Sequence, residues 1–294
     1  MVDIAAIGGG VVMGLLLGSF LNVVIYRLPI MLEREWRLQA REFLCGENSL
    51  SGATDDCPEE TFNLLTPRSR CPSCNTPIAA WHNIPVISWL LLRGRCTACQ
   101  APISVRYPLI ELLTGVLSGI VVWQFGTGLT AAAVLLLVWG LIALTMIDID
   151  HQLLPDNITY PLLWLGLALS LLHDPAANLP FPDSQAALLG AIAGYLSLWT
   201  VYWLFKLATG KEGMGYGDFK LLAVLGAWLG WQMLPLIILL SAIVGTIVGV
   251  AMIILLDRDR QIPIPFGPYL AGAGLVALLW GRPIIDVYLN YAGL

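Results

Sequence analysis

Charge is what this sequence lacks most. Only 12% of its 294 residues are Asp, Glu, Lys or Arg, against 57% hydrophobic, and the mean hydropathy is +0.77. So few charges cannot solvate the surface of a water-soluble domain, and several apolar runs are long enough to span a bilayer. The chain therefore reads as an all-α polytopic membrane protein, with lipid as its surroundings. Cations are the scarcer sign, 15 against 20 acids. A net charge of −5 supplies no basic field, so nucleic acid is not expected as a partner. The N-terminus also lacks what a cleavable signal peptide needs. Met1 to Ala6 holds no cation and no small-residue cleavage site follows, so the first apolar run is expected to be retained. No internal repeat, low-complexity tract or Gly-rich nucleotide fingerprint of the soluble type is expected.

What is present divides into three parts. A first transmembrane helix is expected over 1–26, stopped by Arg27, with Gly8, Gly9, Gly10, Gly14 and Gly18 offering thin faces for close packing. A polar, Arg-rich soluble segment fills 27–107. Seven further spans are expected in 108–294, near 108–125, 129–147, 157–172, 186–208, 219–234, 235–256 and 266–281, which makes eight in all. The break within 219–256 is assigned to Gln232 and Pro235, because one helix of that length would overrun about 30 Å of hydrocarbon. Placing 27–107 in the cytosol puts 148–156, 206–218 and 257–265 there as well, together with Lys206, Lys211, Arg258 and Arg260. The opposite loops, 126–128 and 173–185, hold no Lys or Arg, and both termini are expected outside.

Six cysteines are present, and four form two CxxC pairs, Cys71–Cys74 and Cys96–Cys99, separated by 21 residues. Two such knuckles offer four thiolates to one tetrahedral metal, which points to zinc. Two disulfides are the alternative, disfavoured in a reducing cytosol. A full thiolate shell leaves no position for water, so the metal is expected to be structural. Cys45 and Cys57 read as unligated thiols.

Carboxylates in apolar surroundings carry the strongest functional signal. Glu111, in an early turn of its span, suits a structural or substrate-positioning role, Asp156 reads as an N-cap, and Asp150 as a solvated loop acid. Asp148, closing one apolar run, and Asp218, opening another, are expected to meet at the cytosolic rim. Such a pair suits amide hydrolysis, one carboxylate drawing a proton from water while the other polarises the carbonyl. Gly213, Gly215 and Gly217 alternate before Asp218, a spacing that allows unusual torsions and close approach of an extended peptide. A transporter or channel with rim carboxylates, or a non-catalytic assembly scaffold, are the rival readings.

The motifs GSFLNVVIYRLP at 18–29, CPSC, CTAC, NIPVISWL, ISVRYPLIE, MIDIDHQLLPD, GMGYGDFKLLA and PIPFGPYLA run along nearly the whole chain. Together they resemble the bifunctional type IV prepilin peptidases, the prepilin leader peptidase/N-methyltransferases of Gram-negative bacteria, related in mechanism to GxGD intramembrane aspartyl proteases. The resemblance implies cleavage of the basic leader of prepilins and type II secretion pseudopilins at the cytosolic face of the inner membrane. It also implies N-methylation of the new terminus with S-adenosylmethionine. By that resemblance Asp148 and Asp218 are the catalytic pair, and Gly94 is linked to methyl transfer in the cytosolic segment.

Overall fold

A computed structural model describes residues 3–45, 62–173, 181–255 and 264–292. Among the described residues the chain is helical with no strands, only two isolated bridges. All eight apolar segments form helices, and a short ninth helix lies in the soluble segment. In order they are α1 (Ile4–Cys45), α2 (Ile87–Leu91), α3 (Arg106–Phe125), α4 (Leu129–His151), α5 (Asp156–Ser170), α6 (Ser184–Thr209), α7 (Tyr216–Leu229), α8 (Leu234–Leu255) and α9 (Gly267–Ala292). Six of these are long and apolar enough to cross a membrane. The other two long-predicted spans, α5 and α7, have 15 and 14 residues, about 22 and 21 Å of helix. The chain packs as two compact units, Met1–Ile120 and Val121–Leu294.

In the first unit α1 does not stop at Arg27. It runs 42 residues, through Arg27 and Pro29, to Cys45. The expected stop rested on the cost of a charge at the membrane edge, but the charge is absorbed locally. Arg27 is buried, its Nη1 donating to Asn63 O at 2.8 Å and its Nη2 to Pro67 O, with the Phe62 ring 5.6 Å away. Beyond it the helix turns polar, with a Glu33–Arg37 ion pair one turn apart. The first part of α1 packs antiparallel to α3 through small residues. A Cβ on Gly14 would run into Ser118, and one on Gly18 would stand 2.7 Å from Glu111 Cα. Asn22 Nδ2 donates to Tyr107 O at the same end of the pair.

Before α2 the backbone is strained. Val86 has φ 58° and ψ −49°, and Ile87 N donates across it to Pro85 O. A β-branched residue resists this region, at a cost of about 1–3 kcal/mol. The turn persists because Val86 N donates to Glu111 Oε2 at 2.7 Å.

In the second unit, α6 and α7 approach backbone to backbone. Gly190 faces Gly226, and a Cβ on Gly194 would stand 2.6 Å from Leu222 O. Trp228 ties α7 to α5, its Nε1 donating to Leu162 O at 2.8 Å and its ring filling the space left at Gly166. Gly230, at φ 82° and ψ 164°, ends α7, and one 3-10 turn, Trp231–Met233, leads into α8. The break therefore contains the expected Gln232 but begins earlier, at Gly230, because only glycine adopts that backbone readily, and Pro235 is the second residue of α8.

Candidate active site and metal centre

α4 ends where Gln152 turns left-handed (φ 51°) and Pro155 prevents renewal of the same helix. Asp148 lies in that last turn, 5% exposed. Asp218 is the third residue of α7 and 6% exposed. Its backbone N donates at 3.3 Å to the carbonyl oxygen of Gly215, the residue that caps the helix. Asp148 and Asp218 interact electrostatically across this junction.

Leu154, from the α4–α5 turn, wedges between the groups that bear on the two acids. A Cβ on Gly217 would stand 2.8 Å from Leu154 Cβ, and one on Gly267 would stand 3.3 Å from Leu154 Cδ2 and 2.6 Å from Asp148 Oδ2. Gly267 opens α9, so a helix N-terminus faces the Asp148 carboxylate. Oδ2 nevertheless has no hydrogen-bond partner among the described residues. A buried, unpartnered carboxylate oxygen beside a second buried acid is an arrangement suited to holding a reacting water or carbonyl.

The glycine loop is held from both ends. Lys206 Nζ is 2.8 Å from Glu212 Oε1 and 3.3 Å from Tyr202 Oη, and the lysine holds the Glu212 carboxyl below its usual range. The rings of Tyr202, Tyr216 and Phe219 contact one another at 5.4–5.7 Å. Gly213, Gly215 and Gly217 take no left-handed torsion, contrary to one half of the expectation. Gly213 and Gly217 are needed for space instead, a Cβ on Gly213 falling 2.9 Å from the Phe205 ring. Gly215 has nothing within 4 Å of a Cβ, and so leaves open space one turn from Asp218.

Asp156 is not the N-cap that the sequence suggested. Pro155 occupies that position, and Asp156 opens α5 and receives Lys220 Nζ at 2.7 and 2.9 Å. Sequence reading missed Lys220 and Leu154 as parts of this site, though both lie inside the motifs that carry the two aspartates.

The four expected cysteines come together in the first unit. Their sulfurs all lie within 4.8 Å of one another, with Cys71–Cys99 at 3.8 Å and Cys74–Cys96 at 4.0 Å. Sulfurs at about 2.3 Å from a tetrahedral metal would be separated by about 3.8 Å, whereas a disulfide requires about 2.05 Å. The set fits one metal ion and not a pair of disulfides. The two knuckles are also copies of each other, Arg-Cys-x-x-Cys-x-x-Pro-Ile at 70–78 and 95–103, a short repeat that was not expected. Each closes with a bridge, Arg70 to Pro77 and Arg95 to Pro102, and each bends through a left-handed residue, Asn75 or Gln100. Hydrogen bonds from the Thr76 side chain and amide bring the Cys74 thiol down to about 6, and the amides of Cys99 and Ala98 lower that of Cys96. Against the lowering by the Ala101 amide, hydrogen bonds with Cys74 and Cys96 push the Cys99 thiol up to about 11. In the cluster the thiolate is therefore favoured at Cys74 and Cys96, and the proton is held at Cys99. Cys45 is the last residue of α1, and Cys57 lies outside the described residues.

Gly94 packs beside the second knuckle. It has φ 66°, and a Cβ there would stand 2.9 Å from the Trp89 ring, so any other residue would be strained and crowded. Its carbonyl accepts from Ile103 N at 2.7 Å and its amide donates to Trp89 O at 2.9 Å.

Residues 12–125 match the model of the bacterial peptidase A24 N-terminal domain, and residues 135–250 that of the type IV leader peptidase family. The prepilin leader peptidase/N-methyltransferase of Stutzerimonas stutzeri is 59% identical over 96% of this chain and 93% of its own length. The proteins of the same name from Pseudomonas aeruginosa and Aeromonas salmonicida are 55% and 56% identical, covering 96% and 94% of this chain and 93% and 91% of their own. No solved structure matches the chain.

Proposed function

The chain belongs to the prepilin leader peptidase/N-methyltransferase family, and from that premise we propose that it removes the leader of prepilins and type II secretion pseudopilins and then methylates the exposed N-terminus. Cleavage takes place at the cytosolic face of the bacterial inner membrane, and S-adenosylmethionine is the methyl donor. Residues 108–294 carry the peptidase, and 27–107 carries methyl transfer together with Gly94.

The observation that carries the reading is the meeting of two buried carboxylates, Asp148 and Asp218, around Leu154. In the reaction one of them is ionised and takes a proton from water, while the other is protonated and donates to the scissile carbonyl oxygen. Water oxygen attacks the carbonyl carbon, and the tetrahedral intermediate collapses as the C–N bond breaks and the leaving amine gains a proton. A peptide bond in a regular helix is shielded, so the substrate must unwind locally. The open space at Gly215, with Gly213 and Gly217 flanking it, admits that extended segment beside Asp218.

The four thiolates hold one zinc ion in a structural role. Their shell is complete, so the metal stiffens a segment whose own apolar core is small.

The test is cleavage of a synthetic prepilin in detergent, with methyl transfer followed separately on precleaved peptide. Asp148→Asn and Asp218→Asn should each lower cleavage about a thousandfold or more, while Asp150→Asn retains it and all three methylate. Cleavage by either of the first two variants would dismiss the dyad.

A further inference from the structure

We propose that residues 81–91, which lie within the polar segment between α1 and α3, form an element embedded in the membrane interface and bound directly to lipid. Its amphipathicity runs the wrong way for a soluble loop. Pro85 and Ser88 are buried, while Ile84, Ile87, Leu90 and Leu91 are exposed, Leu91 to 78%. Within α2, Ile87, Leu90 and Leu91 stand at i, i+3 and i+4 and make one outward apolar stripe, and Ile84, before the Val86 turn, is exposed as well. Trp81 is 72% exposed, and its carbonyl is tied to the buried side of α2 by Ser88 Oγ at 2.7 Å. A row of exposed Ile and Leu with a Trp beside it is the composition of an interfacial helix, not of a surface facing water.

The depth of this element is set by a named contact. Val86 N donates to Glu111 Oε2, and Glu111 is five residues into α3, about 7.5 Å from its Arg106 end. Glu111 in turn packs on Gly18 of α1, eight residues before Tyr26. Both α1 and α3 are long and apolar enough to cross the bilayer. The start of α2 is therefore pinned to two spanning helices inside their rim, at the level of the headgroup and acyl boundary. Beyond the stripe come Arg93 and Arg95, both exposed, placed to meet anionic headgroups. Lipid is the occupant because the element is pinned within the rim of two spans, one of which, α3, exposes Leu109 and Leu112 of its own beside the anchoring Glu111. A soluble partner would have to reach it through the headgroups. The buried Glu111 acts here as a depth anchor, and the cysteine knuckles that flank the element are held close to the bilayer surface. The inference depends on α1 and α3 spanning the membrane and holds whatever chemistry the chain performs.

Full-length protein carrying the photoreactive residue p-benzoylphenylalanine at Leu91, at Trp81 or, for reference, at Ser73 on the first knuckle is reconstituted into vesicles of phosphatidylethanolamine and phosphatidylglycerol and irradiated. Phospholipid adducts are then counted by intact-protein mass. Leu91 and Trp81 should yield on the order of tenfold more lipid adduct than Ser73. Equal yields at the three positions would overturn the proposal. So would crosslinks from Leu91 or Trp81 that go mainly to a second copy of the chain or to an added pilin peptide, which would make this face a protein-docking surface.

Discussion

Lys220 Nζ lies 2.7 and 2.9 Å from the two carboxylate oxygens of Asp156, joining the fifth residue of α7 to the first residue of α5. The pair stands two residues from Asp218, so it fixes the turn from which that acid projects. Only partly exposed, it is worth about 1 kcal/mol as an ion pair. Its effect on geometry should exceed that figure. Lys220→Met should lower kcat for cleavage about tenfold with KM little changed, and Lys220→Arg should recover most of the loss. Equal damage by both variants would mean that the lysine acts by something other than its charge.

Gly215 and Gly217 differ in what surrounds them, and the difference is measurable. Gly217→Ala places a Cβ against Leu154 and should cost about 1–3 kcal/mol or displace Asp218. Gly215→Ala meets nothing and should fold and cleave nearly as the parent does. Combining Gly217→Ala with Leu154→Gly should cost less in thermal unfolding than the two single losses added together, because the Leu154 Cβ that the new methyl meets is then absent. Losses that simply add would place the Gly217 defect elsewhere.

Metal analysis of the purified chain should give one zinc per molecule. Replacing any one of Cys71, Cys74, Cys96 or Cys99 with Ser should abolish it. Methyl transfer should fall with the metal while cleavage persists, since the cluster lies in the unit Met1–Ile120 and both Asp148 and Asp218 lie in Val121–Leu294. Cleavage lost in parallel with zinc would refute the division of labour.

Glu111→Ala leaves the Val86 amide without its acceptor and the strained turn without its restraint, a loss of about 1–3 kcal/mol. Hydrogen exchange at Val86 and Ile87 should rise at least tenfold. Glu111→Gln keeps an acceptor oxygen and should stay closer to the parent. Unchanged exchange in the Ala variant would show that the turn is held by its neighbours alone.

Sequence reading located the helices well because each apolar run must satisfy its own backbone hydrogen bonds in lipid, and composition alone reveals where that happens. Asp148 and Asp218 were conspicuous for the same reason, as acids at the ends of such runs, and both are buried. The end of α1 was not legible. It depends on Asn63 and Pro67, more than thirty residues away, supplying carbonyls to Arg27. The Asp156–Lys220 pair was hidden likewise, by 64 residues of separation. Asp156 in isolation looks like a cap, and only the fold brings the lysine to it. The matched knuckles were visible at 70–78 and 95–103, but a repeat of so few residues stands out only when both copies are seen to bend alike.

α5 and α7 are about 22 and 21 Å long, against a hydrocarbon core of about 30 Å. They stand among α4, α6, α8 and α9, each of which is long enough to reach across. α7 is buried from Asp218 to Trp228 apart from the half-buried Lys220, so protein covers it. α5 instead exposes Tyr160 and Trp164, and lipid beside it must compress, at an energy that rises with acyl-chain length. The bilayer is thereby expected to be thinnest along α5, the helix that Asp156 opens. Under the proposed cleavage, a substrate anchored by an apolar helix would then reach the acids more readily where the membrane is thin, and turnover should vary with the acyl-chain length of the lipids a cell makes.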